Sequence, residues 1–167
     1  MPRPSLARSA NLGLEEFLRH PRIDERPYLE YYGDRIGRKV SPYAKHSVIT
    51  KDMVVRLDQF ARPRRLGESY PELRCTFGGR SIVPDVVFLL RDHRPMDEAG
   101  GVVNASRLTP DIQIEIVSPD PSLRKTREKL SHAISHGCPL GWLIHPERNW
   151  IEVYRAGQEP ERLAEDG

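Results

Sequence analysis

Two carboxylates stand alone in apolar surroundings. Asp85 lies in Ile82-Val83-Pro84-Asp85-Val86-Val87-Phe88, and Glu115 lies in Ile112-Gln113-Ile114-Glu115-Ile116-Val117. A buried, unpaired carboxylate is costly, so each must meet a cation, hydrogen-bond donors or water. Two of them on neighbouring strands could share one hard cation through oxygen ligands. The competing reading is that an arginine or backbone N–H groups satisfy each one separately. Two crowded like charges also repel, so Asp85→Asn is expected to stabilise the metal-free fold.

The elements that must position these groups follow from periodicity and breakers. Asp111 to Val117 is a strand with Ile112, Ile114 and Ile116 on one face and Gln113, Glu115 and Val117 on the other. Ser81 to Leu90 is a strand interrupted by Pro84, which marks an edge, a bulge or the strand's beginning. Leu73 to Phe77 precedes it across a Gly78-Gly79 turn. Ser122 caps a helix running to about His136, which Gly137 closes. Tyr28 to Val40 reads as a hairpin turning at Gly33-Asp34.

His46 to Arg62, between Ser41-Pro42 and Pro63, is a helix with Ile49, Met53, Val54, Leu57, Phe60 and Ala61 on one face. Leu12 to Leu18 supports a turn or two of helix. Leu140 to Ile144 and Trp150 to Tyr154 are strands, and 91–109 is a surface loop. The order implies an α/β fold, a mixed sheet flanked by helices. Residues 1–27 form a leader with a short helix, 28–155 the core domain, and 156–167 a polar, frayed tail.

Composition narrows the function classes. A length of 167 residues suits one core. No apolar run is long enough to span a bilayer and the first residues hold no signal peptide, so a cytoplasmic location is expected. Cys75 and Cys138 are read as small buried hydrophobes. Net charge is +2, yet residues 35–80 hold eleven Lys/Arg against four Asp/Glu. Such a basic block is either a phosphate-binding footprint or a solvated surface.

The run Gly78-Gly79-Arg80-Ser81-Ile82-Val83-Pro84-Asp85, followed by Ile114-Glu115-Ile116-Val117-Ser118-Pro119, resembles the PD-(D/E)XK nuclease superfamily. More narrowly, it is similar to the bacterial restriction-endonuclease-like family of the Uma-two type. The likeness continues through Glu128-Lys129-Leu130, Leu140-Gly141-Trp142-Leu143-Ile144 and Val153-Tyr154-Arg155, covering about residues 28–155. It implies a restriction-endonuclease-like fold and a Mg²⁺- or Mn²⁺-dependent endonuclease acting on DNA. Its metal ligands would be Asp85, Glu115 and the carbonyl of Ile116. The alternative is a catalytically inactive nucleic-acid-binding module that keeps the fold. The superfamily lysine would fall at position 117, which is Val117 here; Lys129 on the following helix matches instead.

Helical geometry at roughly 100° per residue places Lys129 at the edge of the Leu123-Leu130-Ala133-Ile134 stripe, with Lys125 and His132 toward solvent. Glu72 matches an acidic position of the family and is a candidate catalytic ligand; Glu30 is a weaker one. His46, Arg64 and Arg65 are candidates for phosphate contact along the cleft. His132 and His136 have a spacing that can bind zinc, but the neighbouring lysines and the lack of an evident third ligand argue against it. Cutting both strands favours a homodimer.

Overall fold

The computed structural model describes residues 12–39, 43–119 and 123–164. The leader to Ala10, Ser41-Pro42 and the Ser122 cap lie outside the described residues. The elements are α1 (Leu14–Leu18), β1 (Leu29–Tyr31), β2 (Ile36–Arg38), α2 (Ala44–Ala61), β3 (Gly67–Pro71), β4 (Arg74–Phe77) and β5 (Arg80–Ile82). There follow β6 (Val86–Leu90), β7 (Ala105–Ser106), β8 (Ile112–Ile116), α3 (Leu123–Ser135), β9 (Leu140–His145), β10 (Trp150–Arg155) and β11 (Glu161–Ala164).

The stretch from Gly67 to Leu90 is one long hairpin shared between two sheets. Its turn is Gly78-Gly79, at φ 55° and 74°, the left-handed pair that a tight two-residue connection demands. Phe77 opposes Arg80 and Cys75 opposes Ile82 near the turn. Farther along, Pro71 opposes Val86 and Gly67 opposes Leu90. The register runs unbroken between these two halves, and the Glu72 N–H donates to the Asp85 carbonyl at 3.1 Å. Between them Pro84 has no N–H to give, and Glu72 stands at φ 50°. The ribbon bends there, so Pro84 marks a switch of sheets rather than a flaw in one strand.

The first sheet has the order β2-β1-β5-β4-β7 and the second β11-β10-β9-β8-β6-β3. β8 and β9 are parallel, and α3 is the crossover between them. This helix touches both sheets. Ala133 packs with Tyr32, Cys75, Phe77 and Ile82, while Leu130 packs with Val117, Leu143, Trp150 and Tyr154. Close approach is allowed by Gly141, where a Cβ would stand 2.9 Å from the Leu130 side chain. A third cluster of Phe17, Ile23, Leu29 and Tyr31 fastens α1 to the first hairpin.

Several expectations need correction. Phe60 is 57% exposed although it was assigned to the packed face of its helix. α2 lies against β3, the edge strand of its sheet, which covers only part of that face. β3 itself, Gly-Glu-Ser-Tyr-Pro, carries no apolar alternation and was not anticipated. The surface loop after β6 contains a 3₁₀ turn at Arg91–His93 and the short strand β7. Within the tail, 161–164 are not frayed: β11 pairs with β10 from Val153↔Glu161 to Trp150↔Ala164. Main-chain pairing to an open sheet edge needs no apolar side chains. Cys75 and Cys138 are free and buried. Among the described residues, no helix is long and apolar enough to cross a membrane.

Candidate active site

The bend in the ribbon creates the site. β6 and β8 are antiparallel, with Phe88 opposite Ile112 and Val86 opposite Ile114. One more step in that register sets Asp85 opposite Glu115, and directly opposed residues share a face. Backbone pairing ends at this step because the chain is leaving for the other sheet. The side chain of Asp85 takes over: its Oδ2 accepts the Ile116 N–H at 2.8 Å. In an extended strand the N–H and C=O of one residue point the same way, so the Ile116 carbonyl also faces the gap.

Asp85 and Glu115, 4% and 3% exposed, line a cavity of about 40 Å³. The other walls come from far apart in the chain: Glu30 on β1, Lys39 just after β2, His46 on α2, and Lys125 and Lys129 on α3. Asp85 Oδ1 receives Lys39 Nζ at 2.5 Å, and its Oδ2 lies 3.1 Å from His46 Nε2. Lys129 Nζ reaches Glu115 Oε2 at 3.1 Å, Glu30 Oε1 at 3.0 Å and the Val83 carbonyl at 3.3 Å. Three acceptors occupy the three protons of that ammonium. Lys125 Nζ meets two acceptors, the Arg38 carbonyl at 2.9 Å and Glu30 Oε2 at 3.4 Å. Glu30 is fixed further by the Tyr32 hydroxyl at 2.7 Å and the Val83 N–H at 2.9 Å. Glu115 Oε1 accepts from Gln113 Nε2 at 3.0 Å.

Three carboxylates therefore face three lysines, and their affinities for protons diverge. Burial would raise all three carboxylates. At Glu30 that effect is outweighed by Lys129, Lys39, Lys125 and the Val83 N–H, which hold it at about 2. At Asp85, Lys39 and the His46 hydrogen bond overcome burial and hold the group well below the usual carboxylate range. At Glu115, burial prevails over Lys129, and the charges of Asp85 and Glu30 add to it, lifting the group to about 7. Lys129 is pulled well above its ordinary value: burial opposes the charge, but Glu115 and Glu30 favour it more. Burial lowers Lys125, with Glu30 opposing.

The sequence-derived candidates thus separate into those gathered at the cavity and those left outside it. Asp85, Glu115, Ile116, Lys129 and His46 are gathered, with His46 turned onto Asp85. Lys125 and His132 were expected to face solvent and do not. The first sheet covers that side of α3, so Lys125 lines the cavity, and His132 stacks on Phe77 with ring centroids 5.1 Å apart. Glu72 is not brought in; its carboxylate pairs with Arg26 at 2.7 Å. Arg64 and Arg65 lie past the far end of α2. His46 to Ala61 alone spans roughly 22 Å at 1.5 Å per residue. Arg64 folds back on Phe60, 4.2 Å from the ring centroid, with Nη1 on the Phe60 carbonyl at 2.8 Å. Arg65 borders a pocket of about 310 Å³ with Arg62, Arg91 and Arg94.

Lys39 was counted only as part of the basic block. The hairpin pairs Glu30 with Gly37, so Lys39, two residues on, shares the face of Glu30. That register was the available signal. The expectation that Asp85→Asn relieves crowding also changes, because Asp85 is the partner of Lys39 and of the Ile116 N–H.

A buried carboxylate away from the cavity offers a contrast. Glu152 on β10 receives Arg127 at 2.6 and 3.1 Å, Arg162 at 2.7 Å and the Tyr154 hydroxyl at 2.9 Å. Burial would raise it, but these hydrogen bonds hold it at about 2.

Comparison with known proteins agrees with the fold. A family profile described as "putative restriction endonuclease" matches residues 14–166. The chain is also similar to the crystal structure of a "putative nuclease" from Anabaena variabilis. Identity is 38%, coverage is 92% of this chain and 84% of that one, and the TM-score is 0.87. No curated protein matches.

Proposed function

The chain belongs to the family of "putative restriction endonucleases", and we propose that it is a divalent-metal-dependent endonuclease hydrolysing DNA phosphodiester bonds at the cavity between β6, β8 and α3. One observation carries the reading: the register opposes Asp85 to Glu115 beside a small cavity, with Lys129 Nζ 3.1 Å from Glu115. The donor set of Asp85, Glu115 and the Ile116 carbonyl is all oxygen. It fits Mg²⁺ or Mn²⁺, which take one or two carboxylates and complete their shell with water and phosphate. Such an ion, when bound, supplies Lewis acidity and a lowered pKa for attacking water.

The chain's own groups do the rest. Lys129 has all its protons engaged, so it fixes Glu115 and Glu30 and places a positive charge at the cavity wall. Among the described residues, Lys39 meets two acceptors, the Val83 carbonyl and Asp85, and Lys125 likewise meets two, which leaves each ammonium one further N–H. These can meet the non-bridging oxygens of a phosphate and stabilise charge that grows there in the transition state. Ionised Asp85 stays oriented by the Ile116 N–H and His46. Glu72, paired to Arg26, has no part in this scheme. A homodimer would present two such sites to antiparallel strands.

The reading as an inactive nucleic-acid-binding module has one observation in its favour: every oxygen of Asp85 and Glu115 already has a protein partner. Plasmid cleavage with Mg²⁺ or Mn²⁺, beside calorimetric titration of Mn²⁺, decides between them. Metal-dependent nicking that Asp85→Asn abolishes is the expected result. Inert wild-type protein that takes up no Mn²⁺ defeats the proposal. Light scattering at micromolar concentration tests the pair.

A further inference from the structure

A second, larger hollow opens beside the carboxylates. It lies between α2 and the corner where β3 passes into β4, and its volume is about 390 Å³. His46 and Asp85 border both this groove and the catalytic cavity. Val54, Val55 and Pro71 give it apolar walls, while Lys51 and Arg26 stand at its rim. Val55 is 44% exposed, an apolar side chain on a helix face that the described residues leave largely uncovered.

We propose that this groove holds one unpaired nucleotide of the DNA strand, next to the phosphate being cut, so that the enzyme acts on single-stranded or locally opened DNA. The inference rests on the nuclease reading and names its substrate class. Whatever fills the groove touches Asp85, so its neighbouring phosphate falls at the carboxylates. Apolar walls suit the faces of a base, which stack without regard to sequence. Lys51 at the rim suits one flanking phosphate, and the exposed guanidinium of Arg26, paired on one side with Glu72, has further N–H groups for the other. Glu72 and Thr50 add polar groups for the edge of the base. The volume is that of a small-molecule site of roughly 300–1,000 Å³, whereas a duplex-reading surface is an extended face. A base inside a duplex enters such a groove only by leaving its stack.

The test is fluorescence anisotropy in EDTA, with a labelled 12-nucleotide single strand and a blunt hairpin duplex of matching sequence. Wild-type protein is expected to bind the single strand at least about ten times more tightly. Val55→Asp, at an exposed position, and Val54→Trp, which fills the groove, should each remove about tenfold of that affinity. Melting curves confirm that the variants are folded, and Mn²⁺ affinity by calorimetry should not change. Equal affinity for strand and duplex, or a folded Val55→Asp protein that binds like wild type, overturns the groove. If Mn²⁺ binding and cleavage persist in that case, the nuclease reading survives alone. If Mn²⁺ fails to bind while single-strand binding depends on Val55, the groove stands and the metal reading falls.

Discussion

Glu115 and Glu152 are both glutamates buried in strands of the same sheet, and they are opposites in chemistry. Glu152 is ringed by two guanidinium groups and a hydroxyl that use its lone pairs and leave it ionised. Glu115 shares one ammonium with Glu30, faces Asp85, and borders a cavity. Arginine's planar fork saturates a carboxylate, while a lysine is a compact charge that several carboxylates can divide. A lone acid in an apolar strand is thus no sign of catalysis. What distinguishes the site is like charges crowded together with space left between them.

The sharpest way to break this comparison is to neutralise each acid. Asp85→Asn and Glu115→Gln should each lower cleavage at least about 100-fold and abolish Mn²⁺ binding. Asp85→Asn should also lower the melting temperature of the metal-free protein, since it strands the buried Lys39. Glu152→Gln should keep cleavage and Mn²⁺ binding while costing about 2 kcal/mol of stability. A Glu152→Gln protein that is stable but inactive would erase the distinction.

Part of this contrast was legible beforehand. Asp85, Glu115 and Lys129 could be read from apolar strands, breakers and the family resemblance, because each lies in a segment with strong local periodicity. The hairpin register sets Lys39 and Glu30 on one face, but that Lys39 reaches Asp85 and Glu30 reaches Lys129 depends on how the first hairpin docks, which local periodicity does not carry. Lys125 was misplaced for a related reason. A helical wheel knows one buried stripe, and α3 is covered from two sides. β3 and β11 were missed because edge pairing uses the backbone and leaves little mark on composition.

The lysines come next in size. Lys129→Met should reduce cleavage by about 100-fold or more and also release Glu115 and Glu30, which a loss of Mn²⁺ affinity would register. Lys125→Met should cost about tenfold in kcat with Mn²⁺ affinity unchanged, against the simpler expectation that it faces water. Identical behaviour of the two variants would show that position on α3 does not separate their roles.

A pH series sharpens the comparison further. Glu115 is raised to about 7 in the folded protein from an ordinary value near 4.5. The folded state therefore binds this proton more tightly than the unfolded chain. Stability from this group is fully present below about pH 4.5 and is lost as pH rises through about 7. Glu152 and Glu30, held at about 2, act in the other direction: their stability is present above about 4.5 and is lost as pH falls toward 2. Metal-free wild type should lose several degrees of melting temperature between pH 5 and 8, and Glu115→Gln should remove that slope. Glu152→Gln should leave it in place.

The smallest effect concerns the arginines beyond α2. Arg65→Ala with Arg91→Ala should flatten the dependence of log affinity on log salt by about one to two units. Arg64→Ala, already folded onto Phe60, should not change it. Equal slopes in all three proteins would mark that arginine pocket as plain surface.

The unbroken register of the Gly67–Leu90 hairpin acts as a ruler. Asp85 meets Glu115 because a fixed number of residues separates it from the Gly78-Gly79 turn. Its tolerance to insertions is therefore uneven. One residue added between Arg80 and Val83 would turn every later side chain of that strand to the opposite face. Asp85 would then point away from the cavity, and an apolar neighbour would take its place among the lysines. Two added residues would restore the facing but move the carboxylate by about 7 Å along the strand. Length changes in this family should therefore gather in the surface segment between β6 and β8, where the chain can grow without moving the mark.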